Sequence, residues 1–80
     1  MENVIYLGCS TFTSKKNGTT YWMIHLAREF DQRFGIGYRA ESFYCLEADY
    51  KAVCDCKPFS KVQADIRYIN GRDALISISK

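Results

Sequence analysis

The sequence predicts a mostly β fold, five strands with one short helix between the third and the fourth, and three observations predict it. Runs rich in β-branched and aromatic residues recur along the chain, and several alternate apolar with polar side chains at the period of two that a pleated strand imposes on its faces. Asn17-Gly18 and Asn70-Gly71 each lie between a pair of such runs, as hairpin tips do, because both residue types tolerate positive φ. One segment, Leu46 to Val53, instead carries its apolar residues at helical spacing.

The elements follow in order. Val4 to Phe12 forms the first strand, and Ser14-Lys15-Lys16-Asn17-Gly18 turns the chain. Thr19 to Leu26 returns as the second strand, with Trp22, Ile24 and Leu26 on the inward face and Tyr21, Met23 and His25 on the other. Arg28 to Gly35 lacks clean periodicity and reads as a loop or the ragged ends of two strands. Ile36 to Cys45 is the third strand, with Tyr38, Ala40, Ser42 and Tyr44 on one side and Phe43, its core residue, on the other. In the helix, Leu46, Tyr50 and Val53 share a face, with acidic residues early and a lysine later, as the helix dipole prefers. Cys54 to Pro58 is a turn, Val62 to Tyr68 the most regular strand, and Ala74 to Ser79 the fifth. This β-β-β-α-β-β order is that of an OB-type barrel, whose ligands lie across strands two and three; an SH3-like barrel is the alternative.

Length and composition narrow the function. Eighty residues make one domain, which hides roughly 60% of its unfolded surface, so a second copy is an expected source of added stability. A fifth strand without proline offers an edge for pairing into a homodimer. Apolar residues at 48% and aromatics at 15% are too many for a disordered chain. The longest apolar run, Tyr21 to Leu26, is broken by His25 and far shorter than the roughly 20 residues of a membrane span. The opening Met1-Glu2-Asn3 lacks the basic start of a secretory signal, so an intracellular, cytoplasmic location is expected, with the four cysteines reduced. The net charge of +2 announces no polyanion by itself.

Catalytic and metal chemistry find little support. The one histidine, His25, lies on a strand without an evident nucleophile, and a strand-face histidine commonly serves packing or hydrogen bonding, so no enzyme and no cofactor is expected. Cys54-x-Cys56 is spaced more tightly than zinc thiolates usually are, and Cys9 and Cys45 lie far off in the chain, so no metal is expected either. The positive signal is aromatic residues interleaved with arginines. Tyr21, Arg28, Arg33, Phe34, Tyr38 and Arg39, with Lys15 and Lys16 at the first hairpin, are the candidate nucleic-acid contacts. Aromatic faces stack bases while Arg and Lys track phosphates, a combination that grips single strands whatever their sequence. The same residue types also serve cores and protein interfaces, so a small interaction module, an inhibitor or adaptor, is the rival reading.

The layout resembles the small OB-fold single-stranded-DNA-binding, helix-destabilising proteins of phages and mobile genetic elements. The resemblance rests on Val4-Ile5-Tyr6-Leu7-Gly8, the Lys-Asn-Gly hairpin, Glu41-Ser42-Phe43-Tyr44 before the short helix, and the ending Val62 to Arg72. It spans nearly the whole chain without a diagnostic motif. It implies a homodimer that coats single-stranded DNA through Tyr21, Arg28, Phe34, Tyr38, Arg39 and Arg67, with Lys15 and Lys16 on the first hairpin; RNA is left open as an alternative. The weak net charge and the Cys54 to Cys56 loop depart from that pattern.

Overall fold

A bulge near the start of the first strand sets how the sheet faces its core. The computed structural model describes residues 1–80. Strand β1 (Glu2–Thr13) sends Val4 and Tyr6 into the interior, as its alternation requires. Its register against β2 (Thr20–Glu29) then slips between Tyr6 and Gly8, where Gly8 takes φ +152°, a value that glycine reaches without a side-chain clash. Beyond the slip the phase is inverted: Cys9 pairs with the buried Ile24 and turns inward, and Ser10 and Phe12 turn outward.

β2 pairs on its other side with β3 (Tyr38–Cys45), and β1 pairs through its first residues with β4 (Lys61–Ile69), which carries β5 (Arg72–Ser79). All pairings are antiparallel, giving one sheet in the order β3-β2-β1-β4-β5. The predicted strands and helix all form; β2 runs three residues past Leu26, so the segment from Arg28 starts as the end of a strand, one of its two expected readings, and β3 begins at Tyr38 rather than Ile36. The two Asn-Gly signals make different turns. Asn70 (φ 53°) and Gly71 (φ 83°) both adopt left-handed conformations, as a tight hairpin needs. At the first tip only Gly18 does so, while the Asn17 side chain accepts the Thr19 N–H at 2.9 Å in a longer loop.

The curled sheet encloses a small core of Val4, Tyr6, Ile24, Leu26, Phe43, Val62, Ala64 and Ile78, capped by Val53 of helix α1 (Glu47–Val53). A helix this short is unstable alone, so packing holds it: Val53 is fully buried and Tyr50 meets Trp22 edge-on at 4.8 Å. The expected barrel is not closed by hydrogen bonds, because β3 and β5 remain the two edges of the sheet. They flank a groove lined by Ser42, Phe43, Tyr44 and residues 72–75. A register slip in the β4–β5 pairing leaves Ile76 as an extra, exposed residue and interrupts the free edge of β5. No helix is long and apolar enough to cross a membrane.

Candidate nucleic-acid interface

The outer face of β1, β2 and β3 carries the most chemically distinctive surface, and register builds it. In an antiparallel pair, side chains of directly opposed residues share a face. Phe12 lies opposite Tyr21, and Met23 lies between Ser10 on β1 and Tyr44 on β3. The rings form a ladder across three strands: Phe12 stacks on Tyr21 with centroids 5.1 Å apart, and Tyr21 meets Tyr44 edge-on at 5.9 Å. Phe12 and Tyr44 are exposed and Tyr21 half-buried, so the ladder is open to a ligand.

Beside it runs a polar row. His25 lies between Gly8 and Ser42 in register, and its ring nitrogens reach the hydroxyls of Ser10 at 2.8 Å (Nε2) and Ser42 at 2.7 Å (Nδ1). Ala27 with Ala40 and then Glu29 with Tyr38 continue the face toward the loop that joins β2 to β3. The hairpin of Lys15 and Lys16 stands at one end of this track and Arg33 and Phe34 at the other. The ten residues of β2 give it a length of roughly 30 Å.

The residues expected from sequence therefore divide. Tyr21 and Tyr38 lie on the track, and Lys15 and Lys16 project from its end without a salt bridge. In the far loop, Asp31 folds the turn: its carboxylate accepts the Arg33 backbone N–H at 3.0 Å and binds the Arg33 guanidinium at 2.8 Å, which draws the Asp31 carboxyl below its ordinary range. That guanidinium lies 5.4 Å from the centre of the exposed Phe34 ring. Arg39 neighbours Tyr38 in sequence but, at the strand period of two, points to the opposite face, where it pairs with Glu41. Arg67 lies on β4, beyond β1 from the track, and pairs with Asp65.

Arg28 has a different setting. Its guanidinium donates to Glu2 at 2.8 Å, Glu41 at 3.1 Å and Asp73 at 2.9 Å, and its side chain is 17% exposed. Burial opposes the charge, yet the three carboxylates outweigh that cost and hold the guanidinium ionised well above its ordinary range. Asp73 belongs to β5, so Arg28 and Arg39 tie β2 and β3 to β5 across the edge that backbone bonds leave open.

Phe12, Tyr44, Met23, Ser10, His25 and Ser42 complete the track, and sequence reasoning did not select them as site residues. Alternation along β3 already places Tyr44 with Tyr38, and an isolated glycine within a strand run, Gly8, is the available sign that β1 changes phase before Phe12. Trp22 faces the helix rather than the track. Cys9, Cys45 and Cys56 pack against the core, Cys54 is exposed, and no group of three or more His, Cys, Asp or Glu side chains is arranged to hold a metal ion. Comparison of the chain with protein-family models, with curated proteins and with solved structures finds no match.

Proposed function

We propose that the protein binds single-stranded DNA, without catalysis and with little regard for base sequence, along the outer face of β1, β2 and β3. The observation that carries the reading is the open ladder of Phe12, Tyr21 and Tyr44, which adjoins two unpaired lysines. Each ring offers a face or edge to a base, a contact worth about 1–3 kcal/mol by alanine substitution, and Lys15 and Lys16 attract phosphates. Arg33 with Phe34 and Tyr38 receive the strand at the far end. The Arg33–Asp31 salt bridge is exposed and therefore weak, so phosphate can compete for Arg33; Arg28 and Arg39 lie on the opposite face and serve the fold, and Arg67 lies beyond β1, outside the track.

The test is fluorescence anisotropy of a labelled oligothymidine. Tyr44→Ala and Phe12→Ala each weaken binding about tenfold, the lower-middle of the stacking range. Tyr68→Ala, at a still more exposed tyrosine on β4 away from the track, leaves it unchanged. Native affinity in both track variants would overturn the reading. Competition by oligouridine tells whether the site distinguishes RNA.

A second reading, a protein-interaction module, draws on a different observation. Tyr44, Leu46, Leu75 and Ile76 line an apolar cleft between β3, α1 and β5, with Leu46 74% exposed. Loss of a protein partner on Leu46→Asp, with oligothymidine unbound at low salt, would favour it.

A further inference from the structure

The middle of the outer face holds a side-chain arrangement that aromatic stacking does not use. His25 is flanked by Ser10 and Ser42, each within hydrogen-bond distance of one ring nitrogen. A neutral imidazole has one N–H and one bare nitrogen, whereas an imidazolium has two N–H groups. A hydroxyl both donates and accepts, so this pair suits either form of the ring. With the ring neutral, one serine must turn its hydrogen onto the bare nitrogen. With the ring protonated, both serines accept, and both hydroxyl hydrogens turn outward.

Protonation therefore breaks no hydrogen bond, adds one positive charge and frees one more outward donor, at the centre of an exposed strip. No cation or carboxylate is among its register neighbours on β1, β2 and β3. From β1 the nearest outward side chains are Ser10 and Ile5; from β3 they are Ser42, Ala40 and Tyr44; along β2 they are Met23 and Ala27. The nearest carboxylate on this face is Glu29, two outward positions further along β2, and a cation, Lys61 of β4, stands opposite Ile5. Arg28, Arg39 and the carboxylates that hold them lie on the opposite face.

We propose that His25, with Ser10 and Ser42, is a protonation-dependent phosphate site, so that the track binds a single-stranded polyanion more tightly at mildly acidic pH. The inference rests on the nucleic-acid reading above and adds to it a specific contact and a dependence on pH. Each phosphate neutralised on a single strand contributes about 0.7 to the slope of log affinity against log salt, which corresponds to about a fivefold gain per charge at 0.1 M salt.

Oligothymidine binding is measured at pH 5.5 and pH 7.5 over a range of salt, for the native protein and for His25→Gln, with circular dichroism confirming that the variant is folded. The native protein binds about fivefold more tightly at pH 5.5, with a salt slope steeper by about 0.7. His25→Gln loses that difference, which separates His25 from the terminal amine and every other titrating group. A second readout needs no substitution. His25 is the one histidine in the chain, so its ring protons give an unambiguous NMR titration, and by reciprocity saturating oligothymidine moves that titration to higher pH. The same gain in native protein and His25→Gln, or an imidazole titration that ligand leaves in place, would overturn the site while leaving the stacking track intact. No binding at either pH at low salt would remove the track and this site together.

Discussion

At the scale of the residue, Arg28 shows how one side chain can look like a ligand contact in sequence and be a tie in the fold. It ends a strand rich in aromatics, as a phosphate contact would, yet its guanidinium is spent on Glu2, Glu41 and Asp73, which come from 26, 13 and 45 residues away. Hydrogen bonds to a charged group contribute about 1.5–3 kcal/mol, and removing the arginine of this part-buried cluster leaves three carboxylates without their partner. Arg28→Ala is expected to lower the unfolding free energy by about 2–3 kcal/mol, read from urea denaturation, while folded protein at low salt binds oligothymidine nearly as before. Unchanged stability with a large loss of binding would return Arg28 to the interface. The three carboxylates were visible as letters in the chain. That they converge on one arginine depends on which strands pair, which no local pattern states.

At the scale of the element, legibility follows the range of the interactions involved. The strands, the helix between β3 and β4 and the inward positions of Ile24, Leu26 and Phe43 were readable because pleat and helix periods are local. Tyr21 and Tyr38 were readable as outward residues for the same reason. The partners of Tyr21 were not, because Phe12 reaches the outer face only after the Tyr6/Gly8 slip and Tyr44 meets Tyr21 only in the observed register. Charge divides in the same way. Arg28, Arg33, Arg39 and Arg67 each hold a carboxylate, whereas Lys15 and Lys16 at the hairpin tip hold none. Lys57, Lys61 and Arg72 hold none either, but the hairpin sets two such cations side by side at the end of the proposed track. Replacing both lysines by alanine should reduce the salt slope of oligothymidine binding by about 1.4, twice the single-strand value per phosphate, and leave the thermal midpoint near native. A slope unaltered in the double variant would take the hairpin out of the binding track.

At the scale of the whole molecule, a small core and a sheet left open between β3 and β5 make stability depend on a few groups at the helix end of the interior. Tyr6 and Cys45 are two ionisable groups there that burial perturbs. Burial, reinforced by the neighbouring Cys9 thiol, pushes Tyr6 well above the ordinary tyrosine range. Burial, followed by Asp49 and Cys9, pushes the Cys45 thiol from 9.0 up to about 11. Both shifts favour the protonated form in the folded chain, so in alkali the unfolded chain gives up its protons first. Folding stability therefore falls with rising pH wherever the folded chain holds the extra protons. The contribution of Cys45 is whole below pH 9 and is lost as pH climbs through about 11, with Tyr6 adding to the loss from the ordinary tyrosine range upward. Urea midpoints at pH 7.5, 9 and 10.5 should stay level over the first interval and drop over the second. Cys45→Ala should flatten some of that drop, because its folded and unfolded states no longer differ in a proton at this position. A midpoint as high at pH 10.5 as at pH 9 would mean that the floor of the molecule opens enough to hydrate both groups, and that the core is not sealed where α1 meets the sheet.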